Sequence, residues 1–226
     1  MKTFGIFAKQ PLPGRVKTRL ATDIGPESAA RFYEAFVRDS LHRFRSTGER
    51  RVIGTTPQSS AADDWFRAAA AGNYELWPQP ESSLGDRMLA YFREHLRAAD
   101  DRAILIGSDS PTIPLEFVEQ AFEYLSSIDC VIGPASDGGY YLIGLRTTAV
   151  RERLFAEIEW SGCRVLETTA ARLAELTLTV ALLPVWYDVD SVTDLQVLRG
   201  HLKALQLTGV TEWPHTCQLC WPSEPR

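Results

Sequence analysis

Short runs of apolar residues alternate along this chain with longer segments in which apolar residues recur at helical spacing. A strand buried on both faces of a sheet reads as a continuous apolar run, and such runs separated by helices are typical of a mostly parallel sheet. We therefore predict an α/β fold, a three-layer αβα sandwich in which helices cover both faces of a mostly parallel sheet. The predicted strands are TFGIFA, RRVIGTT, YELW, RAILIG, CVIGPA, YYLIGL and TVALLPV.

The segments with helical spacing and the end of the chain define the predicted domain. Helices are predicted over residues 26–44, 60–71, 84–98, 114–126, 150–155, 163–175 and 191–206. Ser191 followed by Asp194 fits a capping box at the start of the last helix. A chain of 226 residues can bury one sizeable core, and the sequence shows neither a repeat nor a linker. We predict a single domain over residues 1–207 and an irregular tail over residues 208–226.

The charge balance and the cysteines exclude several classes of protein. The net charge is −5 and no Lys- or Arg-rich run is present, so we expect no nucleic-acid partner, because duplex binding needs a basic surface. The first apolar stretch is interrupted at Lys9, too early for a signal peptide, and no segment has the roughly 18 uninterrupted apolar residues of a membrane helix. The four cysteines do not resemble a secreted disulfide framework. We expect a cytoplasmic protein with no membrane span.

The segment GSDSPTIP follows a predicted buried strand and places Asp109 between Ser108 and Ser110. Open α/β sheets bind their ligands at the carboxyl ends of strands, where Asp109 lies in the predicted fold. A carboxylate at this position can simply cap a turn or the next helix. It also suits Mg²⁺ (or Mn²⁺), which proteins hold through one or two carboxylates plus substrate phosphates. We interpret Asp109 as a metal ligand and include Ser108 among the nucleotide-binding residues.

A second acid should complete such a metal site, and WYDVDSVTDL offers three. Asp194 is explained by the capping box. Asp190 precedes the cap and is not needed to start the helix, so we predict that it faces the same crevice as Asp109. Asp188, with the same strand parity as Asp190, is the alternative ligand.

The loop KQPLPGRVKTRL places four cations after the first strand: Lys9, Arg15, Lys17 and Arg19. These can be ordinary solvated charges. They can also neutralise a polyphosphate, with Gly14 allowing the backbone to approach the anion. The spacing fits neither a Walker A loop nor a Rossmann fingerprint. We favour a phosphate-binding loop.

The turn SDGG between two predicted strands carries Asp137, Gly138 and Gly139. Glycine at positive φ is sufficient to explain a hairpin there. A hairpin at the functional edge of the sheet can also direct Asp137 and the glycine backbone at an acceptor. We therefore predict a substrate site formed by this turn together with Tyr140.

Two shorter signals are weaker. Gly85, at the entry to a helix in SLGDRM, can let a nucleobase or sugar approach the backbone. Trp160, in EWSGC before another helix, is a predicted substrate-binding residue. Both assignments rest on position alone.

The histidines and cysteines carry little signal. No histidine falls beside a candidate nucleophile, which disfavours Ser-His-Asp and Cys-His hydrolases. The segment HTCQLC, with His215, Cys217 and Cys220, could supply half a zinc site. A single C-x-x-C without a second pair is weak support for zinc.

Six blocks occur in a characteristic order: FAKQPLPGRVKTRL, LGDRM, GSDSPTIP, PASDGGYYLIGL, EWS and DVDSVTDL. From about Lys2 to Leu207, the chain thereby resembles a group of bacterial GT-A-fold proteins known as the radical-SAM/selenodomain-associated transferase family. That group lies within the nucleotide-diphospho-sugar transferase superfamily. The KTRL loop and GSDSP also resemble the molybdenum cofactor guanylyltransferases and the 2-phospholactate guanylyltransferases.

In those guanylyltransferases the basic loop binds nucleotide phosphates, and the acid of the G-x-D-x-P block binds Mg²⁺. The resemblance therefore implies that the KTRL loop holds phosphates and that Asp109, with Asp190, holds the metal. The phosphate-binding residues implied are Gly14, Arg15, Lys17 and Arg19. One departure is the segment 81–83, Glu-Ser-Ser, where the resemblance leads us to expect a glycine-containing stretch that contacts the nucleobase.

Three functions remain open at this point. In nucleotidyl transfer, a small acceptor attacks the α-phosphate of a nucleoside triphosphate, Lys17 and Arg19 stabilise the departing pyrophosphate, and Asp137 orients the acceptor. In glycosyl transfer from a nucleotide sugar, Asp137 acts as a base. The third function is nucleotide binding without catalysis. The basic loop and the single acid of SDSP favour nucleotidyl transfer, whereas the family labels favour glycosyl transfer. The oligomeric state, a dimer included, is left open.

Overall fold

The computed structural model, described for residues 1–221, contains a seven-stranded mixed sheet. Its strands are β1 (Lys2–Lys9), β2 (Arg50–Thr56), β3 (Glu75–Pro78), β4 (Arg102–Ile106), β5 (Cys130–Pro134), β6 (Tyr140–Arg146) and β7 (Val180–Leu182). They lie in the order β3-β2-β1-β4-β6-β5-β7. Only β6 runs antiparallel to its neighbours. The predicted α/β fold with a mostly parallel sheet is confirmed.

Helices cover both faces of this sheet within residues 1–221. They are α1 (Thr18–Ile24), α2 (Pro26–Arg43), α3 (Ser60–Ala70), α4 (Leu84–His95), α5 (Leu115–Tyr124), α6 (Val165–Glu175), α7 (Val192–Leu207) and α8 (Pro214–Cys220). Strand β4 shows how the layers form. Ile104 and Ile106 pack in a core cluster with α2, α3 and α5, whereas Ala103 and Leu105 pack in a second cluster with α4 and α6. Alternate residues of one strand therefore bury against opposite helical layers.

The last long helix begins as the sequence predicts. The Ser191 hydroxyl accepts a hydrogen bond from the Asp194 N–H at 3.3 Å, and the Asp194 carboxylate accepts one from the Ser191 N–H at 2.8 Å. This reciprocal pair confirms the capping box. Asp194 is therefore occupied by the helix start, as its spacing indicates.

Two local predictions were wrong. The predicted helix over residues 150–155 is replaced by short 3-10 turns at Thr147–Ala149 and Glu152–Leu154. This segment is short, and its first residue, Val150, is β-branched, as are Thr147 and Thr148 before it, which disfavours an α-helix. The loop predicted after β1 ends in a helix, α1, that buries only Leu20. A single buried residue produces no detectable apolar period.

The tail predicted to be irregular contains α8, so that prediction was wrong within the described residues; residues 222–226 lie outside them. Pro214 stands in the first turn of α8, where a missing N–H costs nothing. The buried Asp39 carboxylate accepts hydrogen bonds from the N–H groups of His215 and Thr216, at 3.1 and 2.8 Å. The start of α8 is therefore fixed by an acid far away in the sequence. Among residues 1–221, no helix has the length and apolar character needed to cross a bilayer.

Candidate active site

A cleft of about 830 Å³ lies at the carboxyl ends of β1 and β4 and beside the β5–β6 hairpin. Its volume is in the range of ligand sites in proteins. Most residues singled out in the sequence line it: Lys9, Arg15, Lys17, Arg19, Ser108, Asp109, Asp137, Gly139, Tyr140, Trp160 and Asp190. The alternative ligand Asp188 lines it as well. The fold thus brings together the basic loop, the acids and the hairpin.

A single ammonium group connects the two acids predicted to bind metal. The Lys17 Nζ atom forms ion pairs with both Asp109 and Asp190, and its distance to Asp190 Oδ1 is 2.9 Å. The Lys17 side chain is 2% exposed, whereas those of Asp109 and Asp190 are 49% and 32% exposed. Arg19 contacts the other oxygen of Asp190 at 3.3 Å. One cation centre can therefore contact both carboxylates at once, and both carboxylates still face the cleft.

The backbone of Lys17 adopts a conformation that is unusual for its residue type. Its φ and ψ are 47° and 46°, the left-handed region, and it stands at the start of α1. A residue with a side chain costs on the order of 1–3 kcal/mol there. The neighbouring Val16 and Leu20 are buried and hold the segment in place. The strained backbone sends the side chain inward to the acids, although the loop around it is exposed.

Burial and charge act in opposite directions on this group. Burial opposes the charge of Lys17, but Asp109 and Asp190 outweigh it and raise the Lys17 pKa above its ordinary value. Burial also tends to raise the pKa of Asp190, yet the charge of Lys17 prevails and lowers that pKa. Lys17 and Asp190 are consequently both charged near neutral pH.

Asp188 has a different environment from its neighbours in sequence. Its carboxylate accepts a hydrogen bond from the Ser110 hydroxyl, next to Asp109. Burial, with the nearby charges of Asp109 and Asp137, raises the pKa of Asp188 to about 6 despite that hydrogen bond. The Val189 N–H donates to the Asp109 carbonyl at 3.0 Å. The segment before α7 therefore binds directly to the Asp109 loop.

Ser108 is held by Tyr33, a residue of α2 that the sequence analysis does not single out. Its hydroxyl lies 2.7 Å from the Tyr33 hydroxyl, which also accepts the Lys9 N–H at 2.9 Å. Tyr33 lines the cleft from α2. Burial raises the pKa of Tyr33 to about 12, so its hydroxyl stays neutral. Its place in the apolar stripe of a helix gave no sign of a polar role.

Arg87 is a second residue that was missed. It lines the cleft from α4 and donates to the Ser82 carbonyl at 2.8 Å. It belongs to LGDRM, a block in which only the glycine was considered. Its position two residues after Gly85, a predicted ligand-binding residue, was the sequence signal that could have identified Arg87.

Three predicted glycines lie outside the cleft lining, and two of them have evident packing reasons. A Cβ atom on Gly85 would lie 2.7 Å from the Phe155 carbonyl oxygen and 2.8 Å from Trp160 Nε1. At Gly138, where φ is +93°, it would lie 2.0 Å from the Cys163 carbonyl oxygen. Gly14 needs its freedom for a φ of +72° and has open space around it. The close packing of Gly85 and Gly138 explains both residues without a ligand.

The hairpin presents an exposed acid to the cleft. Asp137 Oδ1 accepts the Gly139 N–H at 2.9 Å, which fixes the side chain over its own turn. Tyr140 and Trp160 stand edge to face with ring centroids 6.4 Å apart, and both line the cleft. The hairpin side of the cleft is therefore aromatic, and the loop side is cationic.

Within residues 1–221, no three His, Cys, Asp or Glu side chains form a group that could hold a metal ion. His215, Cys217 and Cys220 therefore do not assemble a zinc site, and both cysteines are free thiols. At the cleft, the chain offers Asp109 and Asp190 as a pair of hard oxygen donors. This donor set fits an ion that takes its remaining ligands from water and substrate phosphates, as Mg²⁺ and Mn²⁺ do.

Residues 42–162 match DUF2064, a family described as uncharacterized proteins conserved in bacteria. The chain belongs to this family. A provisionally named nucleotide-diphospho-sugar transferase from Desulfovibrio desulfuricans G20 is 33% identical to it, over 97% of this DUF2064 chain and 96% of that one, with a TM-score of 0.87. None of the curated proteins is detectably similar in sequence.

More distant structures share the fold of this DUF2064 protein. A nucleotidyl transferase from Methanothermobacter thermautotrophicus is 13% identical, with a TM-score of 0.60 and coverage of 90% of this chain and 98% of that chain. A Mycobacterium tuberculosis protein solved in complex with manganese is 15% identical, with a TM-score of 0.51 and coverage of 88% and 98%. At these identities the likeness concerns the fold.

Proposed function

We propose that this DUF2064 protein is a nucleotide-using transferase that depends on a divalent metal and transfers a nucleotidyl group to a small acceptor. The observation that carries the proposal is the Lys17 ammonium paired with both Asp109 and Asp190 in a cleft whose loop side is cationic. Nucleoside triphosphates carry about four negative charges, so their transfer chemistry depends mainly on positioning and charge stabilisation. The fold shared with a nucleotidyl transferase supports the same reading.

The basic loop supplies the phosphate-binding groups. Lys9, Arg15 and Arg19 line the cleft. Arg15 and Arg19 are exposed and can contact an anion there, and Arg19 also pairs with Asp190. Lys17 lies deeper, between the acids and the loop. We assign Lys17 and Arg19 to the stabilisation of the leaving pyrophosphate, because both can reach the region in front of Asp190. Ser108, held by Tyr33, borders the same space.

Asp109 and Asp190 are the residues that would hold the metal, with Asp188 next to them. Their fit is supported by Lys17, which already places one positive centre in contact with both carboxylates. A bound Mg²⁺ or Mn²⁺ supplies charge neutralisation for the phosphates. The manganese complex of a protein with this fold supports a divalent ion.

The acceptor is assigned to the hairpin side. Asp137 is exposed at the cleft and its orientation is fixed by the Gly139 N–H, so it can accept a hydrogen bond from an acceptor hydroxyl. Tyr140 and Trp160 provide flat apolar surface beside it. In this arrangement the acceptor and the phosphates enter from opposite walls.

Glycosyl transfer from a nucleotide sugar is the second candidate, and one observation favours it. The Desulfovibrio desulfuricans relative, which matches nearly the whole chain at 33% identity, carries the name of a nucleotide-diphospho-sugar transferase. In that reaction the same cationic wall holds the leaving nucleoside diphosphate, and Asp137 accepts the acceptor proton. The six sequence blocks resemble the radical-SAM/selenodomain-associated transferase family, whose labels also favour glycosyl transfer.

A two-stage experiment separates the candidates. Thermal shift is measured with nucleoside triphosphates and nucleotide sugars, each with and without Mg²⁺ or Mn²⁺, and bound nucleotides are then tested with pooled hydroxylated and phosphorylated acceptors. Pyrophosphate release supports nucleotidyl transfer, and nucleoside diphosphate release from a sugar donor supports the second candidate. Binding without release of either product indicates a non-catalytic protein.

The Asp109→Asn variant completes this test. We expect it to abolish turnover and to change the melting temperature by only a few degrees, since the Asp109 side chain is 49% exposed. The matched control is Asp64→Asn, an exposed acid on α3 outside the cleft. Full activity in Asp109→Asn would remove the metal site from the proposal.

A further inference from the structure

The C-terminal segment reaches the back of the Asp109 loop. The Trp213 indole N–H donates to the Pro111 carbonyl at 2.8 Å, and the same carbonyl accepts a hydrogen bond from Arg43 Nη1 at 3.0 Å. Arg43 Nη1 also donates to the Ile113 carbonyl at 2.9 Å. These three bonds meet on a stretch that begins two residues after Asp109. They lie outside the cleft, among groups that the proposed chemistry does not use.

Arg43 and Trp213 form one buried unit. The Arg43 guanidinium stands 4.6 Å from the Trp213 ring centroid, and its Nε bonds Glu212 at 2.9 Å. The Arg43 side chain is 5% exposed and Trp213 is 4% exposed. A planar guanidinium with several fixed donors is suited to hold two carbonyl groups at a set spacing. Trp213 itself is anchored by α8, whose first turn is bound by Asp39.

The opposite side of the same loop is held as well. Val189 bonds the Asp109 carbonyl at 3.0 Å, and Asp188 accepts from Ser110. The stretch from Asp109 to Ile113 is thus fixed from the α7 side and from the Arg43–Trp213 side. Pro111, whose φ is restricted, follows Ser110 directly, so these two sets of bonds constrain one short stretch of backbone that includes Asp109.

We infer that Trp213 and Arg43 are positioning residues: they fix the loop that aims the Asp109 carboxylate into the cleft, which makes the C-terminal segment a working part of the site. This inference rests on the proposed function in that it takes Asp109 to be a metal ligand. Ligand groups must be held within fractions of an ångström for metal or phosphate binding, and outer residues supply that precision.

The test uses Trp213→Phe in the full chain, which removes the indole N–H and keeps an aromatic ring over Arg43. Two properties are measured: amide hydrogen exchange of residues 107–113, and the dissociation constant for Mn²⁺ alone, followed by the paramagnetic resonance of free Mn²⁺. We expect exchange to accelerate about fivefold to tenfold and the Mn²⁺ dissociation constant to rise by a similar factor. Arg43→Lys, which keeps the charge and loses the fork, should change both in the same direction.

The matched control is Tyr74→Phe. Tyr74 is buried, and its hydroxyl donates to the Leu41 carbonyl at 3.0 Å, so the variant also loses one buried bond to a carbonyl, but outside the loop. Both readouts should stay within about twofold of the wild type. If Arg43→Lys fails to fold, Trp213→Phe alone decides.

Two results overturn the inference: unchanged exchange in Trp213→Phe, or faster exchange with an unchanged Mn²⁺ affinity, which would make the bonds merely structural. If the wild-type protein does not bind Mn²⁺, the proposed function loses its metal. The exchange comparison then decides by itself whether Trp213 holds the loop, so the two failures are distinguishable.

Discussion

Two buried cations, Lys17 and Arg43, stand on opposite sides of the Asp109 loop and differ in what they bind. Lys17 pairs with carboxylates that still face the cleft, and its own backbone is in the left-handed region. Arg43 bonds main-chain carbonyls and lies over an aromatic ring. An ammonium on a flexible stem can be drawn away by a competing anion, whereas a guanidinium fixed by several bonds cannot. Lys17 is therefore suited to release the two carboxylates when a phosphate binds. Arg43 is suited to hold its main-chain carbonyls permanently.

The largest expected effect is on activity, from Lys17→Met. We expect kcat/KM to fall by about a thousandfold, because the variant removes a charge aimed at the phosphates. The free energy of unfolding should change by about 1 kcal/mol or less, because Asp109 and Asp190 are exposed enough to be hydrated. The assay is product release from whichever donor the screen identifies, together with urea unfolding. Lys203→Met, an exposed lysine on α7, is the control. A large stability loss with unchanged turnover in Lys17→Met would show that Lys17 has a structural role and not a catalytic one.

Arg43→Met should show the opposite pattern. It leaves the Ile113 carbonyl without its Arg43 donor and removes one of the two donors to the Pro111 carbonyl, the other being Trp213. We expect a loss of about 3 kcal/mol in the free energy of unfolding. Arg31→Met, an exposed position on the same helix, should stay within about 0.5 kcal/mol. Urea titration measures both variants. Equal stability of Arg43→Met and Arg31→Met would mean that water replaces the guanidinium at this site.

The acids in the cleft also differ in their surroundings: Lys17 lowers the pKa of Asp190, whereas burial raises the pKa of Asp188. Asp188 therefore gives a prediction that depends on pH. Its folded pKa of about 6 lies above the unfolded value of about 3.9. The protonated form therefore favours folding below about pH 4, and this contribution is lost as the pH rises through 6. Asp188→Asn should stabilise the protein by on the order of 2 kcal/mol at pH 8 and by almost nothing near pH 4. Urea unfolding across this range measures the difference between the two proteins. A gain that does not vary with pH would contradict the raised pKa.

Features that depend on residues close together in the sequence could be predicted from it. The strands, the loop with Asp109 and the capping box at Ser191 could be predicted, because each depends on neighbouring residues. The two acids Asp109 and Asp190 were expected to lie close together, because open α/β sheets form their ligand sites at the carboxyl ends of the strands.

What could not be predicted depends on contacts between distant segments. The sequence predicts a phosphate-binding role for Lys17, but nothing in KTRL shows that its side chain also pairs with two acids. The helix α8 depends on Asp39, and the Arg43–Trp213 unit joins two parts of the chain that share no local pattern. Gly85 was interpreted as a ligand site because the packing of Trp160 against it is invisible in a single sequence.

The smallest effect concerns the left-handed backbone, which Lys17 shares with Ala71 at the end of α3, where φ is 46°. Ala71 bonds no ligand group, so its strain has no function, and Ala71→Gly should stabilise the protein by about 0.5 kcal/mol. Ala68→Gly, inside the same helix, should destabilise it by about 1 kcal/mol. Differential urea unfolding resolves the two signs. If both variants lose stability, left-handed geometry is not costly in this protein, and the conformation of Lys17 would then reflect local chain geometry rather than strain retained for the sake of the cleft.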